Sequence, residues 1–569
     1  MKPYDTLIQG GTVIDGRRNP RYRADVAVKE GRIAAIGRLN PSDAEEVLDA
    51  EGHIVAPGFV DLHTHYDAQL FWDPYCTISG YHGVTSVVIG NCGYGFAPVR
   101  AGLREQAMQA LTRVEQIPYE AMKSSLPWSW ETFPEFLDAL DATPKGVNVL
   151  PYIGASPLLN YVMGPKAAKS RAATPQENAE MARIFEEALQ AGACGWSAMR
   201  TPPDSFSSVH RDADGTSFPA DLMSNDTAFA LAAVMARRNT GFMQMTMVSN
   251  DQAADMAHLE ELARASRRPI VWNALLVDGE HPELHRQVQA WFDSCRQRGL
   301  SLYCQGMTTD VSMLFNLEVW NLWDANPDWQ QALMGNRAER AAKLRDPEVR
   351  RALRQDQPVL YPLRLVELHR TGLSDYQRFA GHKLPDIAAA LGSDPVDTLL
   401  DISLAEDLQT TWKVPLFQQD DDLMREVVQD PWVLPGVSDG SAHTKMLTSG
   451  RYPTEHIEEY VRERGWIPLE DMHWKLSAYP AWVAGFKDRG TLSEGAPADV
   501  VVYDFDGLRC LPDEVVHDVP GGDWRRIRRA EGYRYILVNG RVTFHDGKCT
   551  GATPGALLRH GHHSKASPS

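Results

Sequence analysis

The sequence has no run of 18 or more apolar residues, the length that a helix needs to cross a bilayer. Its first residues enter an alternating strand pattern and lack the basic and apolar regions of a secretory signal. The seven cysteines are scattered and form no Cys-x-x-Cys pair, which argues against a disulfide framework. We therefore expect a cytoplasmic protein that does not span a membrane.

Positive charge is also scarce, because 57 Lys and Arg stand against 75 Asp and Glu and give a net charge of −18. Such a surface repels phosphate groups, and no basic patch offsets the repulsion. Nucleic acids and anionic membranes are therefore poor candidate partners. What is present, 43% apolar and 23% charged residues, is typical of a globular protein with a large core. We expect a small-molecule substrate and leave self-association open.

Two stretches rich in strand-forming residues lie at opposite ends of the chain. Gly10-Gly11 and Asn539-Gly540 are among their turn signals. Neither stretch has enough alternating residues to bury both faces of a sheet. We therefore predict that residues 1–56 and 486–550 meet as one small β-sandwich.

Between these ends, over residues 57–485, apolar strand candidates alternate with amphipathic helices. One helix has a complete start signal, with Thr174 as N-cap, Pro175 after it and Glu177 closing a capping box. The pattern predicts an α/β protein with a (β/α)₈ TIM barrel, a folded insertion at about 307–430 and a flexible tail over 551–569. The eight strand candidates are 54–63, 85–91, 148–154, 193–199, 242–247, 269–276, 301–306 and 432–439.

The strongest local signal is the segment Asp61-Leu-His-Thr-His-Tyr-Asp67 at the end of the first predicted strand. Side chains alternate along a strand, so His63 and His65 project the same way and can bind one metal ion. Active sites of such barrels lie at the carboxyl ends of the strands. We predict that both histidines are metal ligands.

Two further strand ends carry candidate ligands. Cys92 follows the second strand in a glycine-rich loop, where its thiol would face the barrel mouth, although a buried cysteine is often only a small apolar residue. Asp439 ends the eighth strand beside the first, and an Asp before Gly is often only a turn residue. Next to two histidines, however, Asp439 fits a metal ligand that also accepts a proton from bound water.

Two softer candidates also follow strands. Arg200 comes after the fourth strand and is predicted to bind a substrate carboxylate through two parallel hydrogen bonds, with a surface position as the alternative. His443 comes directly after the eighth strand and is predicted to lie at the mouth.

Several segments together resemble the amidohydrolase superfamily, and within it the N-acyl-D-amino-acid deacylase (D-aminoacylase) branch. The resemblance covers nearly the whole chain, and the combination of HTHYD with GNCG is specific to that branch. The segments are Gly11-Thr-Val-Ile-Asp-Gly16, Pro57-Gly-Phe-Val-Asp-Leu-His-Thr-His-Tyr-Asp67, His82-Gly-Val-Thr85, Gly90-Asn-Cys-Gly93, Ser438-Asp-Gly440 and Asp488-Arg-Gly-Thr-Leu492.

The resemblance implies a metal-dependent barrel with His63, His65, Cys92 and Asp439 in metal or catalytic positions. It also implies a site role for His210, because members of the family often carry a histidine near that place.

The chain departs from the family pattern on its fifth and sixth strands. Each of these strands usually ends in a metal-binding histidine, whereas here Met245 and Asn273 occupy the approximate places. A thioether and an amide are poor ligands for Zn²⁺. We therefore expect the usual tight site of the family to be absent. The remaining His63, His65, Cys92 and Asp439 are enough for one zinc ion, in a four-coordinate or an open three-coordinate site.

These residues predict metal-assisted hydrolysis of a C–N bond, with an N-acylated amino acid as the favoured substrate. Asp439 would be the general base and then the general acid. One alternative is a cyclic amide or imide hydrolase, which the absence of a lysine from the fourth strand disfavours. Another is a metal-poor relative with a binding or non-hydrolytic role.

Overall fold

A computed structural model describes residues 2–318 and 322–561. Strands and helices alternate through most of this chain, as an α/β fold requires. The last eight residues of the predicted tail, 562–569, lie outside the described residues. Within the described ranges no helix combines the length and the apolar character that a membrane span needs.

Strands from both ends of the chain form one large sheet. Ile54–Pro57 lies at its centre, parallel to Tyr4–Val13 and antiparallel to Val500–Tyr503. Buried side chains from both ends, including Val55 and Val500, share one apolar cluster. The two ends of the chain therefore meet in one sheet, while the β-sandwich and its domain boundaries stay a prediction. The strands of this sheet in the described chain are Tyr4–Val13, Tyr22–Lys29, Arg32–Gly37, Ala44–Asp49, Ile54–Pro57, Val500–Tyr503, Tyr533–Val538, Arg541–His545 and Lys548–Cys549.

Parallel strands form the middle of the chain, and we number them β1 to β8. Pairing runs from β1 through β2 to β3, and from the continuation of β3 through β4, β5, β6 and β7 to β8. The strands are β1 (Phe59–Asp61), β2 (Val84–Ile89), β3 (Asn148–Pro151, continued by Ile153–Gly154), β4 (Gly195–Arg200), β5 (Phe242–Met247), β6 (Ile270–Leu275), β7 (Leu302–Gly306) and β8 (Val433–Leu434).

The first and last of these strands are also linked. A parallel bridge joins Thr64, after β1, to Gly440, after β8. Side chains from β1, β2, β3, β5, β6 and β8 belong to one buried apolar cluster; they include Val60, Val88 and Phe242. The interior between the strands is therefore filled by side chains.

Helices follow most of the strands. Pro175–Ala191 begins as predicted, because Thr174 and Glu177 form the capping box, and it ends at Gly192 in the left-handed conformation. The α-helices are Arg104–Val114, Tyr119–Ser125, Phe133–Ala142, Ala155–Met163, Pro165–Ala168, Pro175–Ala191, Asn225–Arg238, Gln252–Ser266, Pro282–Gln297, Pro327–Leu333, Arg337–Arg345, Pro347–Gln355, Ser374–Gln377, Leu384–Leu391, Pro395–Ala405, Asp421–Gln429, Tyr452–Glu455, Leu469–His473 and Tyr479–Val483, with π-helical segments at His456–Glu463 and Trp474–Ala478.

The chain between β7 and β8 has a buried core of its own. Its strands Met313–Phe315, Glu367–Arg370 and Thr411–Val414 form a small antiparallel sheet. Its apolar cluster includes Met446 and Val209, from the loops that follow β8 and β4. The insertion therefore packs on the carboxyl side of the strands.

A hairpin projects from the C-terminal part of the chain. Its strands are Glu514–Val519 and Asp523–Ile527, and a short pair at its base joins Arg509–Cys510 to Ala530–Glu531. In the described chain these strands stand apart from the large sheet.

The segment after the large sheet differs from the predicted flexible tail. Leu558 N donates to Val149 O at 2.8 Å, and Gly555 N donates to Lys145 O at 2.7 Å. Leu557 is buried in the main core. The prediction of flexibility from residue 551 is therefore wrong for residues 554–560, because this segment adds backbone hydrogen bonds along β3.

Candidate functional site

Three predicted ligands meet at the carboxyl ends of β1 and β2. One ligand atom each from His63, His65 and Cys92 lies within 4.8 Å of the other two. His63 Nε2 is 3.4 Å from Cys92 Sγ, and the two imidazole rings are 5.5 Å apart between centroids. All three side chains are buried. We call this group the His–His–Cys cluster.

The two histidines are held by the loop after β1 rather than by the strand itself. The strand ends at Asp61, where the carboxylate accepts a hydrogen bond from His63 N at 3.1 Å. His65 N donates to Gly440 O at 2.7 Å, which ties the loop to the end of β8. The predicted first strand, 54–63, is divided in the structure: Ile54–Pro57 belongs to the large sheet, and β1 covers only Phe59–Asp61. The two histidines nevertheless lie side by side.

Cys92 lies in a tight turn after β2. Its backbone has a φ of 57°, and its N–H donates to Gln244 Oε1 at 2.7 Å. The neighbouring Gly93 N donates to Ser197 Oγ at 3.0 Å. Side chains of β5 and β4 therefore fix the turn that aims the thiol at the two imidazoles.

Asp439 completes the group from the loop after β8, because the strand ends at Leu434 and not at residue 439 as predicted. Its Oδ1 lies 3.2 Å from His63 Nε2 and 3.7 Å from His65 Nε2. Ser438 Oγ donates to His63 O at 2.9 Å and so anchors the segment that carries Asp439. Contact between this carboxylate and both histidines is what its predicted role requires.

Opposite charges dominate the electrostatics of the group. Burial opposes the charged form of each side chain. The Cys92 thiolate and Asp439 nevertheless raise the pKa of His63 to about 10, while the histidines hold the pKa of Cys92 and of Asp439 below their usual ranges. The thiolate and the carboxylate are therefore the favoured forms, and without a metal ion the protonated imidazoles balance their charge. Binding of a cation would displace these protons.

Glu115 is a site residue that the sequence did not reveal. Its side chain is 2% exposed; Oε1 lies 3.8 Å from His65 Nδ1 and Oε2 lies 3.5 Å from His443 Nε2. Burial raises its pKa to about 7, although the charge of His65 opposes the rise. Glu115 follows the helix Arg104–Val114, so no strand pattern marked it; its position between Val114 and Ile117 in an apolar stretch was the available signal.

His443 and His210 both reach this region. The ring of His443 is buried, and its centroid is 6.4 Å from that of His210. Burial lowers the pKa of His443 to about 3 and that of His210 to about 4, so both rings are neutral at pH 7. Both rings lie beside the cluster, and a role of His443 and His210 in substrate binding stays a prediction.

Arg200 lies elsewhere, and its predicted role needs correction. Its guanidinium donates to Met223 O at 2.7 Å and to Asn225 Oδ1 at 3.1 Å, and it contacts His258 at 3.0 Å. On β4 the side chain of Ser197 points inward, because its Oγ accepts the hydrogen bond from Gly93 N in the turn that holds Cys92. Because side chains alternate along a strand, Arg200 projects to the opposite face, among the helices.

Buried amides occupy the interior positions of β5, β6 and β7. Gln244 Nε2 donates to Asn273 Oδ1 at 3.0 Å, and Asn273 Nδ2 donates to Gln305 Oε1 at 2.7 Å. Gln305 Nε2 reaches Pro435 O at 3.4 Å. We call Gln244, Asn273 and Gln305 the amide row. Cys92 N donates to Gln244, Gln244 donates to Asn273 and Asn273 donates to Gln305, so hydrogen bonds run without a break across three strands.

The interior residue of β5 is therefore Gln244 and not the predicted Met245. Met245 belongs to the cluster that contains Met235 and Leu259 of the surrounding helices. Asn273 was placed correctly on β6. The error is one residue along the strand, which exchanges the two faces.

The donor set fits a metal ion of the zinc type. Imidazole nitrogen and thiolate sulfur are the atoms that Zn²⁺ prefers, and three of them converge here with a carboxylate beside them. The amide row has no such donor. Buried N and S ligands with an adjacent base at the ends of parallel strands are typical of metal-dependent hydrolases.

Comparison with known proteins gives the family. Residues 46–544 match the amidohydrolase family. D-aminoacylase of Alcaligenes xylosoxydans xylosoxydans is 28% identical over 98% of both chains. N-acyl-D-glutamate deacylase of the same organism is 29% identical over 98% of this chain and 96% of its own.

Solved structures agree. N-acyl-D-glutamate deacylase from Bordetella bronchiseptica, in complex with zinc and a phosphonate inhibitor, matches with a TM-score of 0.66 and 25% identity, over 98% of this chain and 99% of that one. A D-aminoacylase structure matches with a TM-score of 0.65 and 24% identity, over 98% of this chain and 100% of that one, and supports the fold. The chain belongs to the amidohydrolase family and is a metal-dependent hydrolase of amide bonds.

Proposed function

We propose that this protein hydrolyses the amide bond of N-acyl-D-amino acids with one zinc ion. The observation that carries the proposal is the convergence of His63, His65 and Cys92 with Asp439 at 3.2 Å from His63. The substrates named for the relatives share this linkage, an acyl group on the nitrogen of a D-amino acid. The absence of a lysine from β4 disfavours the carboxylated-lysine site of the cyclic-amide alternative.

The same observations support a (β/α)₈ barrel as the frame of the site. Strand pairing runs from β1 to β8, and the bridge between Thr64 and Gly440 links the two ends. In such a barrel the active site lies at the carboxyl ends of the strands. His63, Cys92 and Asp439 all follow a strand of this set.

When bound, zinc lowers the pKa of a water molecule and polarises the carbonyl of the substrate. His63, His65 and Cys92 would hold the ion. Asp439 accepts the proton of the attacking water and returns it to the departing amine, which must be protonated to leave. The Glu115 carboxylate lies 3.8 Å from His65 Nδ1, so its charge would favour the proton on that nitrogen and leave Nε2 free to bind the ion.

The amide row supports a count of one ion. A second ion beside Cys92 would need ligands from β5 and β6, where Gln244 and Asn273 are engaged with each other at 3.0 Å. Breaking these bonds would leave buried polar groups unpaired.

The test is a hydrolysis screen with zinc-loaded protein. Matched N-acetyl D- and L-amino acids with neutral, acidic and apolar side chains are incubated with the enzyme, and the released amine is measured. The proposal expects turnover of the D series, lost on chelation and restored by zinc. Turnover of cyclic imides alone would favour the alternative hydrolase, and no turnover of any amide by protein that holds one zinc ion would contradict the proposal.

A further inference from the structure

A cleft lies at the junction of the insertion, the loop after β8 and the C-terminal hairpin. It encloses 230 Å³, which exceeds the roughly 150 Å³ that accommodates a benzene ring in a protein cavity. None of the metal ligands lines it, so it is distinct from the His–His–Cys cluster. Its charged and aromatic lining residues are Phe315, Arg370, Lys445, His517, Trp524 and Arg526.

The charge of this cleft opposes that of the whole chain. The protein has a net charge of −18, yet Arg370, Lys445 and Arg526 line the cleft, and no Asp or Glu belongs to the part of its lining that the structure describes. The local potential is therefore positive on a molecule whose average surface repels anions.

Two of these cations are not neutralised by direct partners. Lys445 Nζ pairs with Asp523 at 2.8 Å. Arg370 and Arg526, in contrast, have no carboxylate within 4.0 Å among the residues that the structure describes, and the Nε of Arg526 donates to the main-chain Lys445 O at 2.9 Å. Burial lowers the pKa of Arg526; the charge of Asp513, more than 4.0 Å away, opposes this shift, and the charge of Arg370 adds to it. Because Arg370 and Arg526 repel each other, binding of an anion between them would be favourable.

An aromatic ring lies among the cations. Lys445 Nζ is 5.2 Å and Arg526 Cζ is 5.8 Å from the centroid of Trp524. Phe315 and Val515 add apolar surface. The lining therefore matches a ligand that combines a negative group with a flat or apolar part.

We propose that the cleft is a second binding site, which takes a small carboxylate carrying one ring. The guanidinium groups of Arg370 and Arg526 bind the carboxylate, and the ring lies against Trp524. This site goes beyond the proposed hydrolysis and does not depend on it.

The cleft is joined to the candidate active site by one short loop. Arg526 N donates to Thr444 O at 2.7 Å, and Leu314 N donates to Met446 O at 3.2 Å. His443, at the start of the same loop, faces Glu115. An occupant of the cleft therefore contacts the segment that positions His443.

The test is calorimetric titration of the full-length, zinc-loaded protein with benzoate at low ionic strength. Binding in the millimolar range, about −4 kcal/mol, is the expected result, and it weakens as salt is added. Arg370→Gln and Arg370→Gln/Arg526→Gln weaken it by about tenfold or more, because a hydrogen bond to a charged group is lost. The control is Arg378→Gln, an exposed arginine of the insertion outside the cleft, which leaves binding unchanged.

Three further titrations decide the nature of the ligand. Benzyl alcohol and inorganic phosphate bind at least several-fold more weakly than benzoate, and removal of zinc leaves benzoate binding intact. Equal binding of benzyl alcohol, tighter binding of phosphate, or loss of binding with the zinc would each overturn the proposal, as would wild-type binding by the Arg370→Gln protein. Arg370 is exposed, so this single variant decides the question if the double variant fails to fold.

Discussion

The eight parallel strands carry two different groups of polar side chains, one on each side of the set. On the side of β1, β2 and β8, His63, His65, Cys92 and Asp439 present donors to a cation. On the side of β5, β6 and β7, the amide row joins its members to one another at 2.7 to 3.0 Å. The first side has donors directed at a shared point, and the second has donors and acceptors already paired.

The contrast shows how an α/β fold of this family accommodates interior strand positions that carry no metal ligand. A buried polar group that lacks a partner costs about 1–3 kcal/mol, so a lone amide in place of a histidine would destabilise the fold. Three amides in sequence satisfy one another and also accept from the Cys92 N–H. Through this hydrogen bond the amide row holds the turn that carries Cys92.

The largest effect is expected from replacing a ligand. His65→Asn removes a nitrogen donor, so the protein should lose stoichiometric zinc and its turnover together, because the ion and the activated water depend on this donor set. Metal analysis after gel filtration measures the loss. Asn273→Ala, on the other side, should retain one zinc per chain; equal zinc loss in both variants would break the comparison.

Removing the base should separate turnover from metal binding. Asp439→Asn is expected to lower kcat by about 100-fold to 10,000-fold, because the water proton then has no acceptor, while three donors still hold zinc. Steady-state kinetics and zinc content are measured on the same sample. The exposed Asp138→Asn serves as control, and a wild-type kcat in Asp439→Asn would falsify the assignment.

Glu115 should act through His65. Glu115→Gln keeps the size of the side chain but removes the carboxylate beside Nδ1, which is mostly ionised at pH 8, above its pKa of about 7. Zinc affinity at pH 8 should therefore fall by about 10-fold to 100-fold. Competition with a chromophoric chelator measures it. Glu120→Gln, in the next helix and without contact to the cluster, is the matched control; identical affinities in the two variants would remove Glu115 from the site.

The amide row should contribute to stability more than to chemistry. Asn273→Ala leaves Gln305 Oε1 without its donor, whereas Gln244 Nε2 keeps a second acceptor, Thr246 Oγ1 at 3.1 Å. The free energy of unfolding should therefore fall by about 1–3 kcal/mol, the cost of one unpaired buried group. Urea denaturation of the zinc-free protein measures this without the contribution of the ion. A stability equal to wild type would mean that the row carries no net energy.

The smallest effect on activity is expected at Arg200. Because its guanidinium binds Met223 O and Asn225 Oδ1 among the helices, Arg200→Gln should change kcat/KM by no more than about twofold. Kinetics with an acidic N-acyl substrate are the measurement. A large rise in KM for that substrate would restore the original prediction for this residue.

Much of the site could be predicted because its residues follow strands in short motifs. His63, His65, Cys92 and Asp439 each come within a few residues of a strand end, and the strand order brings those ends together. Arg200 and Met245 were misplaced for one reason: each lies one residue from the inward-facing register of its strand. An apolar strand buried on both faces gives no sign of which face is inward.

Glu115 could not be predicted by the same route. It follows a helix, and the direction in which a helix delivers its last residues depends on tertiary packing. His443 N donates to Glu115 O at 2.6 Å, a contact between segments more than 300 positions apart in the sequence. Contacts of this kind have no local pattern.

The large sheet cannot form until the end of the chain has been synthesised. Ile54–Pro57 emerges from the ribosome early, but its antiparallel partner Val500–Tyr503 is made about 440 residues later. At about 5–20 residues per second the early strand waits about 20–90 s for that partner. Throughout this interval an apolar strand edge is open to other chains, so expression yield should depend on chaperone supply more than on the stability of the finished fold.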